Sequence, residues 1–146
     1  MRIFIDADGC PVVPITLRVA KEFGIACVIV CDTAHAFAES DGVQVITVSQ
    51  GADSADFALV NRVAAGDVVI TQDYGLAAMC LARRAIPVHQ NGSVFTAENI
   101  DGLLHDRYAA KKARMAGGRL RGPAKRKPEQ NAAFEKTLRA VLQNLL

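Results

Sequence analysis

Short apolar runs rich in β-formers alternate along this chain with stretches of helical periodicity, and that alternation limits the fold more than any other feature. Five runs read as strands: Arg2–Ala7, Ile25–Cys31, Val43–Val48, Val68–Thr71 and Ile86–His89. Helices are predicted near Val12–Phe23, Ala52–Ala65 and Tyr74–Arg84, with a loop or one short turn over 34–41. Strands alternating with helices imply βαβ units and a parallel sheet. The strands are continuously apolar, as expected when helices cover both faces of a sheet. The predicted fold is therefore α/β, a three-layer α/β/α arrangement with a central, mainly parallel sheet of about five strands.

Turn chemistry supports these boundaries. Phe23-Gly24 and Ala65-Gly66-Asp67 each place a glycine just past a helix, where a left-handed residue ends it. Asn91-Gly92 marks a turn after the fifth strand. Thr96 is a candidate cap for a helix running to about Lys112, followed by a loop over residues 117–123. Pro128 opens a last helix with Phe134, Leu138, Val141, Leu142 and Leu145 at helical spacing.

At 146 residues the chain fits a single domain over 1–146. No apolar run approaches the roughly 18 residues of a membrane span, and Asp6 arrives too early for a signal peptide, so a cytoplasmic location without a membrane partner is expected. Cys10, Cys27, Cys31 and Cys80 include no C-x-x-C pair, which argues against zinc and for reduced thiols. The net charge of +2 hides a split. Residues 1–106, the acidic α/β body, carry 6 Lys/Arg and 13 Asp/Glu; residues 107–146, the basic loop and C-terminal helix, carry 11 and 2. Such asymmetry suggests a polyanionic partner for the basic end, RNA first and DNA second. Self-association into a homo-oligomer stays open.

The acids of the body are not scattered. Asp6 and Asp8 fall at the end of the first strand, two residues apart and so on one side of an extended chain. Asp32 follows the second strand and Asp73 the fourth. Open parallel sheets bind ligands at these C-terminal strand ends. Asp53 and Asp56 face the same way on the second helix, where Asp56 is the acid in an otherwise apolar stripe of Ala52, Leu59, Val60 and Val63. Asp53 also suits the first turn of its helix, as a partner for the helix dipole. Oxygen-only donors select a hard cation, Mg²⁺ or Mn²⁺, held by a few carboxylates with room left for water and phosphate. Acids of this kind beside a basic segment fit metal-assisted phosphodiester cleavage.

Three segments carry a resemblance: Asp6-Ala7-Asp8-Gly9-Cys10-Pro11-Val12, Gly51-Ala52-Asp53-Ser54-Ala55-Asp56 and Gly66-Asp67-Val68-Val69-Ile70-Thr71-Gln72-Asp73. With Leu76-Ala77, Lys111-Lys112-Ala113-Arg114 and Arg121-Gly122-Pro123, they resemble the YaiI/YqxD family of uncharacterised bacterial proteins over nearly the whole chain. The resemblance implies a PIN-like nuclease fold, that of many metal-dependent ribonucleases. It makes Asp6 the acid ending the first strand, Asp73 the acid after the fourth, and Asp53 and Asp56 the intermediate helix acids, with Asp8 an additional one. The expected catalytic residues are Asp6, Asp8, Asp56 and Asp73, and the expected metal ligands are these four and Asp53. Nucleic acid is expected at Arg107, Lys111, Lys112, Arg114, Arg119 and Arg121.

Two other functions compete. Asp6-Ala7-Asp8-Gly9 also matches the D-x-D-G start of haloacid-dehalogenase-like phosphatases, with Gly66-Asp67 and Asp73 similar to their acidic metal motif. That class requires a lysine before the motif, and between residues 9 and 73 only Lys21 occurs, inside the first helix. A non-catalytic RNA-binding protein is the other. Nine Lys/Arg fall within 107–127, where Arg107, Lys111 and Arg114 share a helical face but only Tyr108 is available for base stacking. His35 is a candidate at the site and Ser49 a candidate hydroxyl, whereas His89 and His105 read as structural.

Overall fold

The computed structural model of the chain describes residues 1–32, 37–49, 54–115 and 125–146, the side chains of residues 54 and 107–115 excepted. Five strands form one sheet: β1 (Ile3–Asp6), β2 (Cys27–Asp32), β3 (Val43–Val48), β4 (Val68–Ile70) and β5 (Ile86–Val88). All neighbours are parallel, in the order β3-β2-β1-β4-β5. The helices are α1 (Val13–Phe23), α2 (Ser54–Val60), α3 (Tyr74–Ala82), α4 (Ala97–Met115) and α5 (Pro128–Leu145).

Strand pleating divides the core into two layers. Ile3, Ile5, Cys27, Ile29, Cys31, Val68, Ile70 and Val88 point to one face, where they meet Val13, Val19 and Ala20 of α1 and Phe134, Leu138 and Leu142 of α5. Phe4, Val28, Val30 and Val69 point to the other, against Leu59 of α2 and Leu76 and Cys80 of α3. Burial on both faces is why the strands read as unbroken apolar runs. Phe134, Leu138 and Leu142 are fully buried, which stabilises the docking of α5 by roughly 1.5–3 kcal/mol per side chain. Helix α4 lies outside α3, with Ala77, Phe95 and Ile100 as their shared core.

Among the boundaries that differ from expectation, two do so for identifiable reasons. Strand β2 begins two residues later than predicted. Gly24 takes the left-handed conformation (φ 69°), and the Ile25 N–H donates to the Ala20 carbonyl (2.9 Å), so residues 24–26 close α1. The described part of the second helix ends at Val60 rather than Ala65. The Asp67 carboxylate accepts from the Ala64 N–H (2.8 Å) and the Arg2 N–H (2.9 Å), fixing residues 61–67 as a turn leading into β4. The cysteines behave as expected: all four are free thiols, and Cys27, Cys31 and Cys80 are buried. Among the described residues no helix is long and apolar enough to cross a membrane.

The strand order positions the site. From β1 the chain winds outward to β2 and β3, then returns through α2 to β4 on the other side of β1. Helix α1 follows β1 onto one face of the sheet, while α3 follows β4 onto the other. The chain therefore diverges at the C-terminal ends of β1 and β4, leaving a crevice where α/β sheets bind ligands.

Candidate functional site

That crevice is a pocket of about 540 Å³ lined by Asp6, Asp8, Ala55, Asp56, Gln72, Asp73, Tyr74 and His89. Asp6 is the last residue of β1, Asp8 follows two residues later, Asp56 stands in the first turn of α2, and Asp73 opens α3. The four acids singled out as catalytic thus share one pocket. Its lining also includes Gln72, Tyr74 and His89, which sequence reasoning did not assign to the site.

A short hydrogen-bond relay fixes the centre. The Asp73 N–H donates to the Thr71 hydroxyl (3.0 Å), which donates to Asp6 Oδ2 (2.9 Å). Asp73 Oδ1 accepts from the Leu76 N–H (3.1 Å), capping α3 and orienting its own carboxylate. Both Asp8 oxygens accept from the Asp32 N–H, at 3.1 and 3.2 Å, which ties the loop after β1 to the end of β2. Asp56 reaches the pocket because α2 buries Leu59 one turn further on, against the sheet.

Thr71 was legible as the end of an apolar strand, but not as the link between two acids. Its role depends on β1 and β4 lying side by side, with Ile5 paired to Ile70.

Close acids and partial burial make ionisation of the innermost carboxyl costly. The pKa of Asp6 is raised from 3.8 to about 6, first by burial and then by the charges of Asp56, Asp73 and Asp8, while the Thr71 hydrogen bond works in the opposite direction. Among the described residues, no group of three or more His, Cys, Asp and Glu side chains is arranged to hold a metal ion.

On the far wall, Tyr74 and His89 pack with Phe95, at ring-centroid distances of 5.5–6.1 Å. The Asn91 N–H donates to His89 Nδ1 (3.0 Å). Burial, the largest influence, and the Arg126 charge lower the His89 pKa, against an opposing contribution from a hydrogen bond to the Asn91 side chain. Arg126 itself donates to the Gln90 carbonyl (2.8 Å) and to Asn131 Oδ1 (2.8 Å), placing a cation beside this wall.

The other expected residues separate into three groups. Asp32 and Ser49 do not line the pocket, although Asp32 contributes its N–H to Asp8. Asp53, His35, Arg119 and Arg121 lie outside the described residues. Arg107, Lys111, Lys112 and Arg114 fall on the α4 backbone, with side chains outside the described set. A second hollow, of about 660 Å³, opens at the opposite edge of the sheet beside the end of α1 and holds none of the candidate acids.

Comparison with known proteins adds the lineage. The family model described as "Uncharacterized BCR, YaiI/YqxD family" matches residues 4–144. A UPF0178 protein of Exiguobacterium sibiricum is 53% identical over 142 residues, covering 97% of this chain and 96% of that one. UPF0178 proteins of Clostridium acetobutylicum and Natranaerobius thermophilus are each 44% identical, over 97% of this chain and 97% and 96% of theirs. With its acids gathered at the switch point of an all-parallel sheet and a match along almost its entire length, the chain belongs to the YaiI/YqxD (UPF0178) family.

Proposed function

We propose that this protein is a PIN-like, Mg²⁺- or Mn²⁺-dependent nuclease that cleaves RNA phosphodiester bonds. The observation that carries the reading is the convergence of Asp6, Asp8, Asp56 and Asp73 on one pocket at the C-terminal ends of β1 and β4. The donor chemistry fits a hard cation. Every charged group among the described residues lining that pocket is a carboxylate, and Mg²⁺ needs only one or two of these, with water and phosphate at its other positions. Asp6 and Asp73, joined through Thr71, are the first candidates to hold it, with Asp8 and Asp56 completing the acidic wall. When bound, the ion would polarise a phosphoryl oxygen and acidify a water molecule. The raised Asp6 pKa is consistent with a site whose electrostatics favour a cation.

Two observations favour this reading over a haloacid-dehalogenase-like phosphatase. No lysine is among the described residues lining the pocket. Asp67, which that motif would use, is buried at the start of β4 and bound to the Arg2 and Ala64 N–H groups. A non-catalytic RNA-binding protein would not need four acids facing its ligand.

The test is cleavage of single-stranded RNA and of DNA in Mn²⁺, Mg²⁺ or EDTA, with Asp6→Asn as control. RNA cleavage that requires the ion and disappears in Asp6→Asn is expected. Metal-independent cleavage, or equal activity in the variant, would overturn the proposal. Binding without cleavage under any metal would favour the RNA-binding alternative.

A further inference from the structure

We propose that His89 is a substrate-contacting residue of the acidic pocket, its Nε2–H donating to a phosphoryl oxygen of the bound strand. The inference rests on the reading that the pocket takes a phosphodiester, and it names a donor that the aspartates cannot provide. Asp6, Asp8, Asp56 and Asp73 offer acceptor oxygens when ionised, whereas a phosphate presents acceptors of its own. The lining must therefore include donors. Among the described lining residues these are the Gln72 amide, the Tyr74 hydroxyl and the His89 ring.

His89 is the donor whose orientation is fixed from several directions. A neutral imidazole that accepts at Nδ1 carries its proton on Nε2, and His89 Nδ1 accepts the Asn91 N–H. Asn91 engages the ring from the Nδ1 side, and His89 lines the pocket, which leaves the Nε2 edge for a ligand. The ring is braced by Tyr74 at 6.1 Å and Phe95 at 5.8 Å.

The loop that carries the ring is held equally firmly. The His89 N–H donates to the Ser93 carbonyl (2.7 Å), the Gly92 N–H to the His89 carbonyl (3.0 Å), and the Ser93 N–H to Asn91 Oδ1 (3.0 Å). From α5, the Thr137 hydroxyl donates to the Gly92 carbonyl (2.7 Å). From the residue before its cap, Arg126 donates to the Gln90 carbonyl. A side chain locked by its second layer of contacts loses little entropy on binding.

The experiment uses Mg²⁺-loaded protein titrated with adenosine 5′-monophosphate or with adenosine, and follows affinity together with long-range ¹H–¹⁵N spectra of the imidazoles. In wild type the His89 ring nitrogens should report the Nε2–H tautomer. Nε2 should shift on adding the monophosphate and not on adding adenosine. His89→Phe keeps an aromatic ring against Tyr74 and Phe95 but removes the donor, and should weaken monophosphate binding about tenfold, the effect of one hydrogen bond to a charged group. His89→Gln retains an N–H near the Nε2 position and should restore affinity to within a few-fold.

The reverse order, with Phe binding tightly and Gln weakly, would assign base stacking to this wall and overturn the proposal. Equal binding by both variants and wild type would also overturn it, as would wild type that fails to bind the monophosphate. The wild-type spectra decide the matter if a variant does not fold. Absence of RNA cleavage alongside His89-dependent monophosphate binding would refute the nuclease reading and leave this assignment standing.

Discussion

Replacing Asp6 by Asn should stabilise the metal-free protein, and the gain should depend on pH in a defined way. The Asp6 carboxyl has its pKa raised from 3.8 to about 6 on folding. The native state therefore holds this proton between about pH 4 and pH 6, where the unfolded chain releases it. The contribution to stability is fully present below pH 3.8 and is lost as pH rises through about 6. A rise of about two pKa units corresponds to roughly 3 kcal/mol. Allowing for the solvent that reaches the pocket, roughly 2 kcal/mol is the expected penalty above pH 6. Asn has no such penalty and still offers the Thr71 hydroxyl an acceptor. At this chain length that corresponds to a Tm about 4–8 °C above wild type. The assay is calorimetry of both proteins in EDTA from pH 4.5 to pH 8. The gap should widen with pH and level off above about 6.5. An Asp6→Asn variant less stable than wild type at pH 7.5, or a gap independent of pH, would refute the picture of a repelling, half-buried acid cluster. Mn²⁺ should then narrow the gap by stabilising wild type and not the variant, since a ligand of the native state alone raises stability by mass action.

Other consequences are equally direct. Thr71→Val removes the group linking the Asp73 N–H to Asp6, so it should cost about 1–3 kcal/mol in chemical denaturation and push the Asp6 pKa above its present value in a carboxyl NMR titration. Gly92→Ala should destabilise by about 1–3 kcal/mol in the same assay, because Gly92 has φ +94° and an added Cβ would lie 2.8 Å from the Ala133 carbonyl oxygen. Replacing Lys111, Lys112 and Arg114 together with Ala should weaken RNA binding and reduce the slope of log affinity against log salt by about 2, at roughly 0.7 per phosphate contact to a single strand. An unchanged slope would show that these cations do not touch the strand.

The sheet was legible because parallel strands buried on both faces leave a strong signature: Cys27–Asp32 and Val68–Ile70 are almost wholly apolar, and the helices between them are bounded by glycines. The acids were legible because Asp6, Asp8 and Asp73 sit at strand ends and Asp56 interrupts an apolar helical stripe. Pairings set by register rather than spacing were not. Thr71 binds Asp6 across 65 residues, and Arg2 offers its N–H to Asp67 across the same interval, because β1 and β4 become neighbours only after the chain has made β2 and β3. That His89 lines the pocket is hidden from the sequence for a related reason. As an isolated histidine it matches no ligand spacing, and only the docking of α5 onto the loop after β5 shows how it is held.

The same docking bears on how an acidic pocket can receive a polyanion. Residues 1–106 carry a net charge of −7, and four of their acids line the pocket. Unaided, this surface would repel a phosphate chain. A bound cation changes the sign only locally, over a distance comparable to the screening length of about 8 Å at physiological salt. Beyond that reach the attraction has to come from the protein. Helix α4, which leads into the basic segment, packs on α3, whose first turn carries Tyr74 directly after Asp73. At the other end of the segment, Arg126 is bound to the carbonyl of Gln90, next to His89. The described flanks of the segment over 107–127 are thus tied to two elements of the pocket wall. Under the proposed function, a strand held by Arg126 and the cations that precede it would lie next to an element of the pocket wall, and a bound ion would neutralise its charge within the pocket.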